Sequence, residues 1–362
     1  METELEERLR ELTSAITPLS EGAMAEARAR QARLAKPPES LGRLEELSVQ
    51  LAGITGRVRN TLEKKQLLVF AADNGVVDEG VASAPRSVTL MQTRNLARGK
   101  TGAAVLARRF GCALTVCDVG VAAEVNEPAV IDRKIAYGTG NITAGPAMTR
   151  AQALTAILTG AEMAEQSEAD ALGVGEMGIG NTTTSAAVLS VLLSASPEHT
   201  TGRGGGLTEP AFQRKQQVVF RAILANSPDR RDAVDVLAKV GGFDLAAMCG
   251  AFLGGAKAKK PVVIDGFISA VAALCAVRLC PAAREYMIPG HASEEPGYAL
   301  AIHALGLRPM LLLDMRLGEG SGCPLAMLLL DAACAVMNDM ATFDEAGIDD
   351  GYLDPIRTPD HG

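Results

Sequence analysis

The chain has 362 residues and a formal net charge of −8, with 48% hydrophobic and 22% charged residues. This balance is typical of a globular protein with a large core, and the length fits two domains or one large domain with an appendage. The acidic balance and the 3% aromatic content argue against a nucleic-acid-binding surface, which needs a basic stripe. We therefore expect no nucleic-acid partner.

The sequence also argues against a membrane protein and against a metalloprotein. Its longest uncharged apolar stretch, residues 266–277, is too short to span a bilayer, and the acidic N-terminus is unlike a signal peptide. The seven cysteines stand in apolar runs without a CxxC pair, so we expect reduced core residues in a cytoplasmic protein. The four histidines lack metal-ligand spacing, so we expect no metal site.

Helical patterns occupy both ends of the chain. Apolar residues at helical spacing predict helices over residues 3–16 and 21–34, and Ser40 is placed to cap a third helix. Near the other end, an apolar helix is predicted from Cys323 to about Met340, before an acidic tail. We expect the two ends to pack together as a small helical bundle.

Between these ends, short apolar runs alternate with helix-length segments, which is typical of βαβ units and of a parallel sheet buried on both faces. The six predicted strands are Leu67–Ala72, Ala113–Cys117, Ala171–Val174, Val262–Ile264, Tyr286–Ile288 and Met310–Leu313. Acidic residues and glycines follow these runs. Because open α/β sheets bind ligands at the carboxyl ends of their strands, we expect the functional site at that edge.

The first candidate motif is the glycine-rich segment 173–185, between a predicted strand and a predicted helix. It contains a GxGxxG pattern, but Glu176 would place a carboxylate beside the pyrophosphate of a dinucleotide. Asn181 and the threonines after it suit a helix start that holds one phosphate or a sugar. A glycine-rich turn with a threonine cap fits the same pattern.

Two further glycine clusters are candidate ligand loops. Residues 201–207 (TGRGGGL), followed by Lys215, could turn backbone N–H groups toward an anion that the lysine neutralises, or form a flexible surface loop. In residues 316–322 (RLGEGSG), three glycines surround Glu319. That glutamate could act as a general base in an apolar site, or lie solvated in a loop.

Seven segments occur in an order that resembles one enzyme family. They are residues 36–43 (KPPESLGR), 72–77 (ADNGVV), 175–183 (GEMGIGNTT), 201–206 (TGRGGG), 262–266 (VVIDG), 290–294 (GHASE) and 316–322 (RLGEGSG). Together they resemble the nicotinate-nucleotide–dimethylbenzimidazole phosphoribosyltransferases of cobalamin assembly, over about residues 33–345. The resemblance implies transfer of a 5-phosphoribosyl group from nicotinate mononucleotide to 5,6-dimethylbenzimidazole. The products are α-ribazole 5′-phosphate and nicotinate, and no cofactor is implied.

By motif position, the resemblance implies that Glu319 is the catalytic base, which takes a proton from the acceptor ring. The residues implied to bind the nucleotide are Glu176, Asn181, Thr182, Thr183, Gly204, Gly205, Gly206, Lys215, Asp265 and Ser293. Those implied to surround the acceptor base are Ser83, Met91, Gln92 and Leu317. Asn74 stands where the family commonly has histidine, so adenine, another benzimidazole or a phenol stays open as the acceptor.

The resemblance also implies a fold and an assembly. It predicts a Rossmann-like, mainly parallel six-stranded sheet with helices on both faces, in a large α/β catalytic domain over residues 35–340. Residues 1–34 and 341–362, with part of the last helix, would form a small helical domain, and the protein would be a homodimer.

Two other functions stay open. One is a nucleotide-dependent dehydrogenase using residues 173–178 with Glu198 at the ribose, and the other is a silent homologue that only binds nucleotides.

Overall fold

The computed structural model describes residues 2–354, so the last eight residues of the predicted segment 341–362 lie outside it, as does residue 1. The α-helices of the described part are α1 (Glu2–Ser14), α2 (Glu21–Arg33), α3 (Arg43–Thr55), α4 (Ser87–Ala97), α5 (Gly102–Arg109), α6 (Arg150–Gln166), α7 (Asn181–Leu193), α8 (Pro197–Thr200), α9 (Glu209–Asn226), α10 (Ala233–Val240), α11 (Phe243–Lys257), α12 (Phe267–Leu279), α13 (Pro296–Leu305), α14 (Cys323–Asp339) and α15 (Phe343–Ala346). Three 3₁₀ helices cover Gly75–Glu79, Pro281–Tyr286 and Gly351–Leu353. The strands are β1 (Lys65–Ala72), β2 (Cys112–Gly120), β3 (Val130–Asp132), β4 (Ala171–Met177), β5 (Val262–Ile264), β6 (Met287–Pro289), β7 (His291–Ala292) and β8 (Leu311–Leu312).

A six-stranded sheet in the order β3-β2-β1-β4-β5-β6 forms the centre of the molecule, and every pairing in it is parallel. The chain order reverses between β1 and β4, where Phe70 is the register partner of Glu176. Ligands of open α/β sheets bind at such a switch point, beyond the carboxyl ends of the strands. The predicted parallel α/β fold is confirmed, and the sheet presents its carboxyl edge where the polar motifs lie.

The strand β1 shows directly that the sheet is buried on both faces. Leu68, Phe70 and Ala72 belong to one buried cluster, with α6, α7, α11 and α12. Leu67, Val69 and Ala71 belong to the other, with α3, α5 and α14. Because side chains alternate along a strand, this division places one helical layer on each face, and it explains why the strands read as continuous apolar runs.

Small side chains allow the helices to approach closely, which compensates for the scarcity of aromatic residues. A Cβ atom added to Gly250 of α11 would lie 1.7 Å from the carbonyl oxygen of Ile157 in α6. Helix backbones in contact at that range leave no room for a larger residue. The seven cysteines are free and buried, as their apolar surroundings predicted.

The sixth predicted strand was wrong. The run Met310–Leu313 does not join the main sheet; its central residues form β8, which pairs only with β7. The sixth position is taken by β3, which was not predicted because it is a three-residue edge strand with a half-buried or exposed surface. The apolar run at Met310–Leu313 is itself partly exposed, and Leu312 is 80% accessible. The hydrophobic residues of this run therefore do not indicate a strand buried in the main sheet.

The helices near the N-terminus agree with the sequence pattern except at one cap. The third helix begins at Arg43 behind Gly42, and Ser40 does not cap it. Instead the Glu45 carboxylate reaches back to accept a hydrogen bond from the Leu41 N–H, 2.9 Å away. This bond ties the residue before Gly42 to the first turn of the helix, and no side chain caps the helix at Gly42.

The two ends of the described chain meet beside α3, whose Ala52 shares a buried cluster with them. A short antiparallel bridge joins Leu34 to Thr342, and Met337 of α14 packs with Ala23 and Ala27 of α2. Leu9 of α1 belongs to the same buried cluster as the central strand. The division into residues 1–34 with 341–362 and residues 35–340 stays a prediction. No helix within residues 2–354 combines the length and apolar character needed to cross a membrane.

Candidate active site

A cavity opens at the carboxyl edge of the sheet, beside the β1–β4 switch point. Its wall is built from the ends of β4 and β5 together with loops that enter from four other parts of the chain. The lining residues are 81–84, 175–182, 203–205, Leu207, Lys215, 265–269, His291, Ser293, Glu295 and 316–318. The three candidate motifs of the sequence therefore meet in one place, although Glu176 and Glu319 are separated by 143 residues along the chain.

Buried carboxylates form the floor of this site. Asn181, the first residue of α7, donates from Nδ2 to Oε2 of Glu176 on β4 and, over 2.9 Å, to Oδ2 of Asp244 on α11. Burial, reinforced by the charge of Asp244, raises the pKa of Glu176 to about 8. Burial also raises the pKa of Asp244, to about 6. At neutral pH the Glu176 carboxyl is therefore mainly protonated, and the floor carries less negative charge than its composition suggests.

Glu319 is held in a left-handed turn of the loop after β8. Gly318, Glu319 and Gly320 have φ angles of 87°, 61° and 77°, and the flanking glycines adopt that region without steric cost. The Glu319 backbone N–H donates to Oε1 of Glu176 over 3.2 Å. Its own carboxylate accepts from the Ala103 N–H at the start of α5, 3.2 Å away, and from Gln92 Nε2 at 3.5 Å. Glu319 is only 6% exposed, so the interpretation as a solvated loop residue is wrong.

The loop 201–207 and Lys215 form a cationic corner on another side of the cavity. The side chain of Lys215 is fully buried, and its ammonium donates to Thr182 Oγ1 over 2.8 Å and to the Gly202 carbonyl over 3.0 Å. Burial lowers the pKa of Lys215 to about 8. The Gly204 N–H points to Glu295 and donates to its Oε1 at 2.8 Å. The loop is therefore packed against the site rather than free at the surface.

Asp265 and Ser293 complete the cavity wall at the ends of β5 and β7. Asp265 Oδ1 accepts from the Gly322 N–H over 2.7 Å and lies 3.6 Å from Nδ1 of His291. Burial raises the pKa of Asp265 above its ordinary value. A Cβ atom added to Gly266 would meet Ser293 Oγ at 3.6 Å, which places the serine beside the aspartate turn.

Most of the predicted site residues line the cavity, and the others lie outside its lining. The lining members are Ser83, Glu176, Asn181, Thr182, Gly204, Gly205, Lys215, Asp265, Ser293 and Leu317. The predicted residues outside the lining are Met91, Gln92, Thr183, Gly206 and Glu319. Of these, Gln92 and Glu319 contact each other on the α4–α5 side, and Met91 is exposed on α4. The Glu319 side chain thus turns away from the cationic corner and toward α5.

Asp244, His291 and Glu295 are polar residues of the site that were not predicted. Asp244 had no recognisable signal, because it reaches the floor through the packing of α11 beneath the sheet edge. His291 and Glu295 belong to the stretch 290–295, whose cluster of glycine, histidine and acids could have marked them. Glu198, the ribose partner required by a dehydrogenase, is instead exposed on α8 and does not line the cavity.

Asn74 lies beneath the cavity and does not line it. Its side chain is fully buried and accepts a hydrogen bond from Thr184 Oγ1 at 3.3 Å. A Cβ atom added to Gly242 would touch both Asn74 and Asp244 at 2.5 Å, so the two side chains are neighbours. An effect of Asn74 on an acceptor base would therefore pass through the buried floor. Within residues 2–354, no group of three histidine, cysteine or acidic side chains is arranged to hold a metal ion.

Comparison with known proteins gives consistent similarities over almost the whole chain. Residues 16–348 match a family model described as phosphoribosyltransferase. A protein from Clostridium perfringens, named nicotinate-nucleotide–dimethylbenzimidazole phosphoribosyltransferase, is 47% identical over 352 residues, which make up 96% of this chain and 98% of that protein. One of the same name from Yersinia enterocolitica is 48% identical over 337 residues, covering 92% and 96%. The crystal structure of CobT from Thermus thermophilus aligns with a TM-score of 0.88 at 43% identity, covering 91% of this chain and 100% of that one.

Proposed function

This chain belongs to the nicotinate-nucleotide–dimethylbenzimidazole phosphoribosyltransferase family, and on that premise we propose how its site carries out the transfer. Nicotinate mononucleotide donates its 5-phosphoribosyl group to 5,6-dimethylbenzimidazole, which gives α-ribazole 5′-phosphate and nicotinate for the lower ligand of cobalamin. The observation that carries this proposal is the separation of two groups at the sheet's switch point: Lys215 lines one side of the cavity, and Glu319 lies outside the lining on the α5 side, next to the lining residue Gly318. One side suits the acceptor and the other suits the phosphate.

The cationic corner would hold the 5′-phosphate of the donor. Lys215, the Thr182 hydroxyl and the amides of the loop 201–207 present donors of the kind that phosphate oxygens accept. Lys215 already uses two of its three donors on uncharged oxygens, so an incoming anion would gain a buried cation that no carboxylate contacts directly. Gly205 would supply a further amide, whereas the Gly206 N–H already donates to the Arg203 carbonyl over 3.1 Å.

The ribose and the nicotinate ring would lie along the cavity floor. Asp265 and Ser293 would face the sugar, and Asn181, Thr183 and Glu176 would contact the nucleotide or its product. The raised pKa of Glu176 supports this placement, because a neutral carboxyl does not repel a phosphorylated ligand as an ionised one would. The floor can therefore accept an anionic nucleotide despite its acidic composition.

The reaction requires a base for the acceptor and no acid catalyst for the leaving ring. The donor's glycosidic nitrogen is a positively charged pyridinium, so nicotinate leaves with a neutral ring and without an acid catalyst. The acceptor's ring N–H must lose a proton as its other nitrogen attacks C1′, and Glu319 would take that proton. Attack on the face opposite the leaving ring converts a β-nucleotide into an α-product. The remaining catalysis is the positioning of two flat rings across the anomeric carbon.

The acceptor ring would rest between Glu319 and the mouth of the cavity. Gln92, which contacts the Glu319 carboxylate, would share in orienting the ring, with Ser83 at the rim. Met91 and Leu317 are 49% and 60% exposed, which leaves apolar surface available to a benzimidazole. These assignments do not select among 5,6-dimethylbenzimidazole, adenine and phenols.

A cytoplasmic homodimer with sites near the subunit interface completes the proposal. Leu312 and Leu313, in and beside β8, are exposed together with Leu317 on the loop that follows. Apolar side chains grouped at one edge of a monomer commonly mark a surface that another chain covers. The proposed partner at this edge is a second copy of the chain.

A chromatographic endpoint assay tests the proposed reaction. Purified protein is incubated without metal with nicotinate mononucleotide and, separately, with dimethylbenzimidazole, adenine or p-cresol. We expect nicotinate release that depends on dimethylbenzimidazole and yields an α-linked product. Release that depends on a different base would keep the reaction and change the acceptor. Nucleotide binding without release for any base would overturn the proposal in favour of a silent binding protein.

A further inference from the structure

Glu295 occupies a position that the proposed reaction does not use. It immediately precedes α13, is 8% exposed, and directs its carboxylate into the loop 201–207. Its Oε1 accepts the hydrogen bond of the Gly204 N–H at 2.8 Å. The amide that a phosphate would be expected to use is therefore already bound to an anion that belongs to the protein.

We propose that Glu295 is an internal competitor that tunes phosphate affinity: its carboxylate fills the anion site of the loop 201–207 until the phosphate of a ligand displaces it. This inference rests on the proposed placement of the donor phosphate at that loop. It assigns to Glu295 the role of an internal competitor, which a phosphorylated ligand can replace and a ligand without a phosphate cannot.

The packing around the carboxylate shows that the loop is built to receive it. A Cβ atom added to Gly202 would lie only 1.9 Å from Oε2 of Glu295, so any other residue at position 202 would exclude the carboxylate. A Cβ atom on Gly204 would lie 3.4 Å from the Lys215 ammonium, which places the same turn of the loop against the buried cation. One short segment thus contacts both the internal anion and the lysine.

The charges favour an exchange of one anion for another. Lys215 is buried, and its two hydrogen-bond acceptors are a hydroxyl and a carbonyl, neither of which carries a charge. Glu295 is the carboxylate whose charge acts on Lys215 and opposes the lowering of its pKa by burial. A phosphate seated beside Lys215 would be repelled by Glu295 if the carboxylate stayed. Displacement of the Glu295 carboxylate removes that repulsion, and the phosphate then compensates the charge of Lys215.

The hydrogen bonding of Glu295 also fits a contact that can be released. Oε2 is buried without a hydrogen-bond partner, so the carboxylate satisfies only part of its acceptor capacity in this position. A phosphate group has three terminal oxygens and could accept from the Gly204 N–H and from Lys215 together. The ligand would therefore use the corner more completely than the residue it replaces.

The consequence is a lowered affinity for phosphorylated ligands, which eases release of a phosphorylated product. If the carboxylate fills the site most of the time, the apparent affinity for phosphate is lowered by the fraction of molecules in which the site is open. A site that is open in one molecule in ten binds about tenfold more weakly than a permanently open one. Nicotinate riboside, which lacks the phosphate, does not compete with the carboxylate and should escape this loss.

The test measures binding of inorganic phosphate and of nicotinate mononucleotide to the full chain by titration calorimetry. The variants are Glu295→Gln and the matched control Glu294→Gln, whose exposed neighbouring side chain carries the same charge. We expect Glu295→Gln to bind both probes about tenfold more tightly, because a neutral amide competes poorly for the anion site. Glu294→Gln should change neither dissociation constant by more than about twofold.

Tighter binding is the informative direction, because a purely structural role for Glu295 predicts the opposite. Equal or weaker binding by Glu295→Gln would mean that the carboxylate remains in place and supports the loop, and it would overturn the proposal. If Glu295→Gln does not fold, Glu295→Asp is the second variant, because its shorter side chain draws the carboxylate back from Gly204. It should also bind phosphate and nicotinate mononucleotide more tightly than the wild type. Unchanged or weaker binding by Glu295→Asp would overturn the proposal.

The outcome of this binding test can be distinguished from the outcome of the nicotinate-release assay that tests the proposed reaction. A wild-type protein that binds phosphate but releases no nicotinate with any base would overturn the reaction while the Glu295 comparison still decides this proposal. If neither the wild type nor Glu295→Gln binds phosphate, the loop is not an anion site and the role of Glu295 is overturned. Binding by Glu295→Gln alone would support it.

Discussion

The backbone N–H of Glu319 donates a hydrogen bond to the side-chain oxygen Oε1 of Glu176, 3.2 Å away. This contact joins the loop after β8 to the end of β4, which lies 143 residues earlier in the chain. Glu176 is in turn bound through Asn181 to Asp244. The backbone position of the proposed base is therefore held by the buried acidic floor, whereas its side chain is bound elsewhere.

Replacing Glu319 by glutamine tests its role as the general base. The amide keeps the size of the side chain but cannot take the proton of the acceptor ring, so turnover should fall by about 10²–10⁴-fold. The dissociation constant of nicotinate mononucleotide should change little, because the Glu319 side chain faces α5 rather than the cationic corner. Steady-state rates and calorimetric binding measure the two effects.

The matched control is Glu198→Gln, because Glu198 is exposed on α8 and lies outside the cavity lining. It should retain normal turnover and normal nucleotide binding. Near-normal turnover in Glu319→Gln as well would remove Glu319 from the proton transfer.

Replacing Lys215 by methionine tests the cationic corner. The substitution keeps an apolar side chain of similar length in the buried site but removes the charge and both hydrogen bonds. Affinity for nicotinate mononucleotide should fall by about 10²-fold, whereas affinity for free nicotinate should stay nearly constant, because only the nucleotide carries the phosphate.

Lys257→Met serves as the control for Lys215, since Lys257 pairs with Glu165 on the surface, away from the cavity. It should leave both affinities unchanged. An equal loss of nucleotide and nicotinate affinity in Lys215→Met would show that the lysine acts on the whole site rather than on the phosphate.

The sequence predicted the location of the site because its signals were local and its geometry was general. Residues after parallel strands converge at one edge, and so Glu176 and Asp265, which end different strands, meet in one cavity. The glycine clusters could be predicted as candidate ligand loops because they too are local signals in the sequence. Five of the six predicted strands also lie in the main sheet, because runs buried on both faces are continuously apolar.

What the sequence could not supply are the relationships created by tertiary packing. Asp244 enters the floor from the start of α11, where no spacing links it to Asn181. The carboxylate of Glu295 accepts a hydrogen bond from the Gly204 N–H, although the two residues are 91 positions apart in the sequence. A run of glycines alone does not indicate which anion it binds. The edge strand Val130–Asp132 is too short and too exposed to show a strand pattern.

Stability should depend on pH through Glu176. An unfolded chain releases this proton near pH 4.5, whereas the folded protein retains it up to about pH 8. Between these values the folded state binds more protons than the unfolded state, so the free energy of unfolding should decrease as pH rises. Glu176→Gln removes the titration and should flatten the decrease. Urea unfolding midpoints at pH 5, 6, 7 and 8 provide the measurement.

Glu198→Gln again supplies a control, because its exposed carboxyl should leave the pH dependence of the wild type intact. Asp244, with its pKa raised to about 6, should contribute in the same direction at the lower end of this range. A Glu176→Gln protein whose midpoints decline with pH as steeply as those of the wild type would assign the effect to other groups.

Asn74 should affect stability more than acceptor choice. It is fully buried beside Asp244 and does not line the cavity, so Asn74→Ala removes a polar neighbour of the floor and one of the two acceptors of the Thr184 hydroxyl, which keeps the Asn181 carbonyl at 3.0 Å. The unfolding temperature should fall, because a lost buried hydrogen bond costs about 0.5–1.5 kcal/mol. The ratio of kcat/KM values for dimethylbenzimidazole, adenine and p-cresol should stay within about twofold of the wild type, since no atom near the acceptor has changed.

Leu317→Ala is the matched comparison for acceptor choice, because Leu317 lines the cavity and is 60% exposed. Its truncation removes apolar surface from the proposed base site, so the preference among the three bases should change while the unfolding temperature stays near that of the wild type. If Asn74→Ala changes the order of base preference and Leu317→Ala does not, acceptor selection passes through the buried floor rather than through contact at the cavity wall. That result would give Asn74 a role in acceptor choice.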